Sequence, residues 1–236
     1  MKVVVVGAGI AGLSAAYDLL RAGAEVTVLE SERRAGGVIV TDRPEGRWIV
    51  EGGPDSFLAA DQDIPQLAGE LGLPDRIVRQ TGHGFARWTG AAFQPLDEGQ
   101  AAALLGIQVR KEDLAAGHAS FAAGMGELIE ALVGVVGPAI RHRVGVTAAQ
   151  RAGSAFRLSC TGGQSTPADA LVVALPAYAA ARLFAGIDLD VRHALTAVRY
   201  DPSLTVSLAY DAKQLDRKST RLNSSHIQKS RMPSSA

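Results

Sequence analysis

The 236-residue chain predicts an α/β fold built on a parallel sheet, and three adjoining stretches predict it. Val3–Val6 is a continuous β-branched run of the kind that a strand buried on both faces requires. Gly7-Ala8-Gly9-Ile10-Ala11-Gly12 breaks it, and apolar residues at helical spacing follow: Ile10, Leu13, Tyr17 and Leu20, with Gly23 as the stop. Glu25–Glu30 returns as a second strand, in which Val26 and Val28 alternate with Thr27 and the last residue is an acid.

The remaining elements follow the same rules. Ile64–Leu71 predicts a helix ended by Gly72 and Pro74, and Gln100–Leu105 and Met125–Val136 predict two more. Val144–Ala148 and Ala155–Cys160 predict a β-pair with Phe156, Leu158 and Cys160 on one face, so Cys160 is expected to be a small buried hydrophobe and not a reactive thiol. Leu171–Leu175 is a second all-apolar strand, stopped by Pro176. Leu204–Tyr210 alternates and predicts a strand of a separate sheet.

Composition bounds the function. Lys+Arg and Asp+Glu each number 24, so nothing at the level of the chain favours nucleic acid as a partner. With 47% hydrophobic residues the chain suits one large globular domain or two small ones. A single cysteine forbids an intrachain disulfide and fits a reducing, cytoplasmic setting. Met1–Tyr17 superficially resembles a secretory signal, but its glycines and alanines make it weakly hydrophobic, and Asp18, Arg21 and Glu25 follow at once. It is also too short to span a bilayer, and no transmembrane segment is expected; peripheral membrane contact leaves little sequence trace and stays open. His83, His118, His142, His193 and His226 show no metal-ligand spacing among themselves or with Cys160, so no metal site is expected. Neither a nucleophile elbow nor a P-loop occurs. Arg141, His142 and Arg143 read as a solvated strand edge.

The chemistry-bearing segment is the glycine run. G-x-G-x-x-G between strand and helix, with an acid at the end of the next strand, is the context of a dinucleotide fingerprint. Gly7 permits the tight turn, Gly9 lets the backbone approach a diphosphate, and Gly12 allows the helix to pack closely on the strand. The N–H groups of the helix start, at Ile10 and Ala11, face the diphosphate with the positive end of the helix dipole. Glu30, with Ser31 beside it, is expected to accept hydrogen bonds from the adenosine ribose.

The next residues extend the pattern. Glu30-Ser31-Glu32-Arg33-Arg34-Ala35-Gly36-Gly37 resembles the E-x-x-x-R-x-G-G segment of the flavin monoamine oxidase, phytoene desaturase and protoporphyrinogen oxidase superfamily. That resemblance implies FAD as cofactor and a Rossmann-like FAD-binding domain with an inserted, shortened sheet-and-helix substrate region. It implies an Arg34 guanidinium near the diphosphate and room at Gly36 and Gly37 for backbone donors on the flavin side. Glu51-Gly52-Gly53-Pro54-Asp55-Ser56-Phe57-Leu58 resembles the G-P-D-S-F segment of bacterial protoporphyrinogen and coproporphyrinogen oxidases, which places Gly53, Pro54, Asp55 and Ser56 beside the flavin ring. The same residues also read as a Gly-Pro turn in which Asp55 caps a helix. Phe121–Leu128 resembles the F-x-x-G-M-x-x-L stretch before a helix. Arg143–Gly153 resembles the strand that meets the adenine, through Val146. Ala168–Ala177 resembles the strand that returns to the flavin.

The resemblance, which spans about Met1 to Leu215, implies oxidation of protoporphyrinogen IX or coproporphyrinogen III to the porphyrin in heme biosynthesis. Hydride leaves a meso carbon for the flavin, and oxygen is the acceptor. The partners are then a small-molecule porphyrinogen and oxygen, and no catalytic side chain is expected because the flavin carries the chemistry. Another amine oxidase or desaturase activity, or an inactive flavin-domain fragment, are the alternatives. The expected organisation is a βαβ unit over 1–58, a shortened substrate region over 59–120, the cofactor domain continued over 121–176, and the start of a substrate-domain sheet over 177–215. Ala59–Ser120 is too short for the family's usual helical domain, and nothing after Leu215 resembles its closing glycine-rich segment, so half of the flavin site is expected to be missing. Asp216–Ala236, with six serines and five Lys or Arg, is expected to be a disordered tail. Asp216–His226 and Ser230–Ala236 resemble a translated sequencing adapter, and the tail is therefore expected to be artefactual.

Overall fold

The computed structural model describes residues 1–46, 48–81, 85–104, 109–200 and 204–207. In chain order the elements are β1 (Lys2–Val6), α1 (Ile10–Arg21), β2 (Glu25–Leu29), β3 (Thr41–Asp42), β4 (Val50–Glu51), β5 (Phe57–Leu58), α2 (Asp63–Glu70), β6 (Ile77–Arg79), β7 (Phe85–Trp88), β8 (Phe93–Leu96), α3 (Glu98–Leu104), α4 (Lys111–Ala115) and β9 (His118–Phe121). Then come α5 (Gly126–Val136), β10 (Ile140–Arg141), β11 (Val146–Ala152), β12 (Ala155–Cys160), β13 (Ser165–Ala168), β14 (Ala170–Val173), α6 (Ala177–Phe184) and α7 (Leu189–Thr196). They form two compact units: Met1–Val40 with Gly126–Tyr200, and Thr41–Met125 with the described residues 204–207.

The first unit is α/β, of the Rossmann type. Its parallel sheet runs in the order β10-β2-β1-β14, with Val3–Val6 of β1 paired to Val26–Leu29 on one side and to Ala170–Val173 on the other. A central strand covered on both faces has no solvent side, which is why its four valines run without a polar break. All four are at most 3% exposed, and each contributes roughly 1.5–3 kcal/mol by burial. Because side chains alternate along a strand, the valines split between two faces. α1 lies on β1 and β2 and packs against α5, burying Leu13, Ala16 and Tyr17 with Leu128, Leu132 and Val136. On the other face Val4, Val6 and Leu29 join Ala149, Leu158, Cys160 and Ala168 of the antiparallel sheet β11-β12-β13, and Leu183 of α6. Cys160 is 5% exposed, the small core residue its strand position predicts. Pro167, which cannot donate to a ladder, sits on the edge strand β13.

The second unit is made of short antiparallel pairings, β3-β4, β7-β8 and the three-stranded β5-β9-β6, with α2, α3 and α4. Two expectations change here. No helix follows Asp55, whose chain runs into β5; the carboxylate at the start of α2 is that of Asp61, which accepts from the Asp63 amide at 2.8 Å. Leu204–Ser207 has no regular secondary structure. An alternating stretch becomes a strand only where another strand completes its hydrogen bonds. The rest of that predicted strand, Leu208–Tyr210, and the tail Asp216–Ala236 lie outside the described residues, as do His83 and His226.

Candidate functional site

The glycine run leaves the sheet where β1 ends. Gly7 donates to the Leu29 carbonyl at 2.9 Å and turns with φ +100°, and a Cβ there would stand 2.5 Å from the Ala174 carbonyl oxygen. A Cβ on Gly12 would collide with the carbonyl oxygen of Gly7, so the close seating of α1 on the strand depends on its absence. Gly9 differs in kind. It has φ −69°, open to any residue, and a Cβ built on it meets nothing within 4 Å. Protein sterics do not require glycine there; the space in front of it does, if a ligand is to touch the backbone.

Gly9 is also the N-cap of α1 and offers no side chain to the first turn, which has no acidic residue either. The first N–H groups of a helix are unpaired within the helix and carry its partial positive charge. Ile10 and Ala11 thus begin a helix whose end no side chain caps, next to an opening that a Cβ would fill. That combination fits the diphosphate of a dinucleotide.

Glu30 lies just past β2 and is 8% exposed. Oε2 accepts from the Ala8 amide at 2.7 Å, while Oε1 accepts from the Glu32 amide at 2.8 Å and from Ser31 Oγ at 3.3 Å. Its carboxylate is tied to the glycine loop and to its own strand end, and of about four acceptor sites one, on Oε2, is left for a further donor. Segment 141–145 runs alongside: Glu30 donates to the Arg141 carbonyl, and Val144 and Arg143 donate to the carbonyls of Glu30 and Glu32. This carries Val146, half-buried at the start of β11, to the same edge of the unit as Ser31. Arg141, His142 and Arg143 are all exposed.

Arg34 folds back on its own loop, with Nη2 donating to the Gly37 carbonyl at 2.6 Å and Nη1 to the carbonyls of Ala35 and Ile39 at 3.1 and 3.3 Å. Gly36 and Gly37 have φ +104° and +57°, and Gly36 donates to the Ala8 carbonyl at 2.7 Å. Ala8 is therefore held at both ends of its backbone, by Glu30 and by Gly36. A residue that acts through its amide and carbonyl carries no side-chain signal in the sequence.

Gly53–Ser56 belongs to the second unit and forms the link between β4 and β5, with Ser56 Oγ donating to Asp55 Oδ1 at 2.9 Å. In that unit Glu51 is a second residue that the motifs did not flag. Its carboxylate accepts from Thr41 Oγ1 at 2.7 Å and from the Met125 amide at 2.8 Å, fastening the β3-β4 hairpin to the segment before α5. Among the described residues, no three His, Cys, Asp or Glu side chains gather as metal ligands would, and no helix is long and apolar enough to cross a membrane.

Residues 10–104 and 76–235 match the family of flavin-containing amine oxidoreductases. The chain is 48% identical over 79 residues to a coproporphyrinogen III oxidase of Propionibacterium freudenreichii subsp. freudenreichii, covering 34% of this chain and 15% of that protein. It is 45% identical over 93 residues to a Mycobacterium tuberculosis protein (strain CDC 1551 / Oshkosh) named as a flavin-containing monoamine oxidase, AofH, covering 39% of this chain and 20% of that one. Each alignment thus spans a fifth or less of its relative's length. The fold is similar to that of cyclohexylamine oxidase from Brevibacterium oxydans IH-35A, with a TM-score of 0.65 and 15% identity, covering 83% of this chain and 62% of the other.

Proposed function

We propose that this chain, which belongs to the flavin-containing amine oxidoreductase family, carries the FAD-binding portion of a porphyrinogen oxidase. The substrate is coproporphyrinogen III or protoporphyrinogen IX, the acceptor is molecular oxygen, and the product porphyrin serves heme biosynthesis. The observation that carries the nucleotide half of this reading is the opening at Gly9 before the uncapped start of α1, with the buried Glu30 carboxylate beside it. A ribose acceptor next to a diphosphate cradle suits an ADP moiety, hence FAD and not a flavin mononucleotide. The Gly53-Pro54-Asp55-Ser56-Phe57 segment and the coproporphyrinogen III oxidase relative favour a porphyrinogen.

FAD, when bound, accepts the electrons of the oxidation; the protein's part is binding and orientation. Gly7 and Gly12 set the loop and helix, Gly9 with the Ile10 and Ala11 amides would hold the diphosphate, and Glu30 with Ser31 would hold the ribose. By the resemblance, Val146 would meet the adenine, and Gly53–Ser56 would be the segment that meets the flavin ring. No side chain is assigned a proton-transfer role. The single, buried cysteine suits a cytoplasmic setting.

The test is first to titrate the purified chain with ADP and FAD, following flavin absorbance, where ADP should bind and FAD be held poorly. FAD and air are then supplied with coproporphyrinogen III, protoporphyrinogen IX, cyclohexylamine and L-amino acids in turn. Porphyrin fluorescence and hydrogen peroxide from a porphyrinogen alone support the reading. Peroxide from an amine or amino acid, with no porphyrin formed, replaces it with the amine oxidase reading that AofH favours.

A further inference from the structure

We propose that Arg34 is a positioning residue that sets the glycine loop for the diphosphate, acting through the main chain of Ala35–Ile39; this deepens the dinucleotide reading above and rests on it. Every hydrogen bond of the guanidinium among the described residues goes to a carbonyl of its own loop: Gly37 at 2.6 Å, Ala35 at 3.1 Å and Ile39 at 3.3 Å. Two nitrogens spread across a planar fork reach three oxygens pointing in different directions, which an ammonium on one atom does not reproduce.

The consequence is felt at the glycine loop. With its carbonyls gathered by Arg34, the turn takes two successive left-handed residues, Gly36 and Gly37. That geometry delivers the Gly36 amide to the Ala8 carbonyl at 2.7 Å and forms a bridge between Gly9 and Gly36. It also presses Gly37 onto Gly9, since a Cβ on Gly37 would stand 3.2 Å from the Gly9 Cα. The Ala8 peptide is fixed from the other side by Glu30 Oε2. Gly9, the residue that faces the opening, therefore has its approach set by a clamp whose outer jaw is the loop Arg34 closes. A Cβ on Gly36 would meet Ile129 Cγ2 at 3.0 Å and the Ile39 carbonyl at 3.1 Å, so the jaw is closely packed against α5 and its own turn.

The experiment compares the full chain with Arg34→Ala and Arg34→Lys in three measurements: amide exchange at Gly36 without nucleotide, ADP affinity by calorimetry, and the thermal midpoint. Both variants should speed Gly36 exchange and weaken ADP binding by about tenfold, the equivalent of roughly 1.4 kcal/mol, with the midpoint unchanged. Arg34→Lys should not rescue. Unchanged Gly36 exchange in the nucleotide-free variants, or wild-type ADP affinity in Arg34→Lys, would overturn the proposal and make Arg34 a plain charge on the diphosphate. If Arg34→Ala loses its fold, Arg34→Lys decides alone. Should the unaltered chain bind no ADP, the dinucleotide reading fails, while the exchange measurement still decides what Arg34 holds.

Discussion

In β1 four consecutive valines are at most 3% exposed, whereas in the second unit Phe85, Trp88 and Phe93 are 41%, 45% and 58% exposed. Both sets of residues are large or branched hydrophobes in strands; what differs is the number of layers around them. β1 is central in a parallel sheet with helices on one face and an antiparallel sheet on the other. β7 and β8 form a two-stranded ribbon, and ribbons of that size have little stability of their own in water. The first unit is thus a scaffold that holds a backbone loop in place, and the second unit is expected to open at a lower free energy.

The contrast is tested most strongly by cutting the same kind of group from each region. Leu158→Ala empties a fully buried position between the two sheets and should cost about 2–5 kcal/mol in urea unfolding. Trp88→Ala removes a larger side chain but only a half-exposed one, paired with Phe93 at 5.0 Å between ring centres; the expected loss is about 1 kcal/mol. Equal losses would mean that the ribbon is as well supported as the core. Gly12→Ala comes next, at about 3 kcal/mol, because the new methyl meets the Gly7 carbonyl oxygen and α1 must move off the sheet. In the second unit, Gly117→Ala faces open space and has only its φ of +77° against it, so about 1 kcal/mol is expected.

Glu30→Ala should cost about 1–3 kcal/mol, since the Ala8 amide loses its acceptor in a buried place. Nucleotide affinity should fall with it. Glu30→Gln keeps one carbonyl oxygen for Ala8 and should recover most of the stability but less of the affinity. Chemical denaturation and ADP titration of the two variants separate the structural bond from the ribose contact.

These residues also explain how far the sequence could be read. β1, α1 and β2 were legible because each is fixed within a few residues, by valine runs, helical spacing and glycine stops. Their pairing followed from the parallel-sheet rule. The β5-β9-β6 sheet was not legible: Phe57 pairs with Ala119 and Ile77 with Phe121, across long stretches of chain, in strands of two to four residues. No periodicity exists in so short a strand. Of the site, the glycine and acid positions were visible because they need particular residue types. The clamp on Ala8 and the turning-in of Arg34 were not, because both act on backbone atoms that every residue has.

Gly9→Ala has the smallest expected effect on stability and separates scaffold from site most cleanly. Its φ of −69° and ψ of 177° suit alanine, and its Cβ would touch nothing. Alanine is a poorer N-cap than glycine by a few tenths of a kcal/mol and gains about as much by restricting the unfolded chain, so stability should stay within about 0.5 kcal/mol. The methyl nevertheless projects into the opening before α1, where a diphosphate would lie against the backbone. ADP affinity should therefore fall about tenfold or more, some 1.4 kcal/mol, at unchanged stability. Gly12→Ala should lose stability, while Gly9→Ala should keep it and fail only at binding. If Gly9→Ala binds ADP as the unaltered chain does, the nucleotide does not enter by that opening, and the contrast between a glycine kept for the fold and one kept for a ligand disappears.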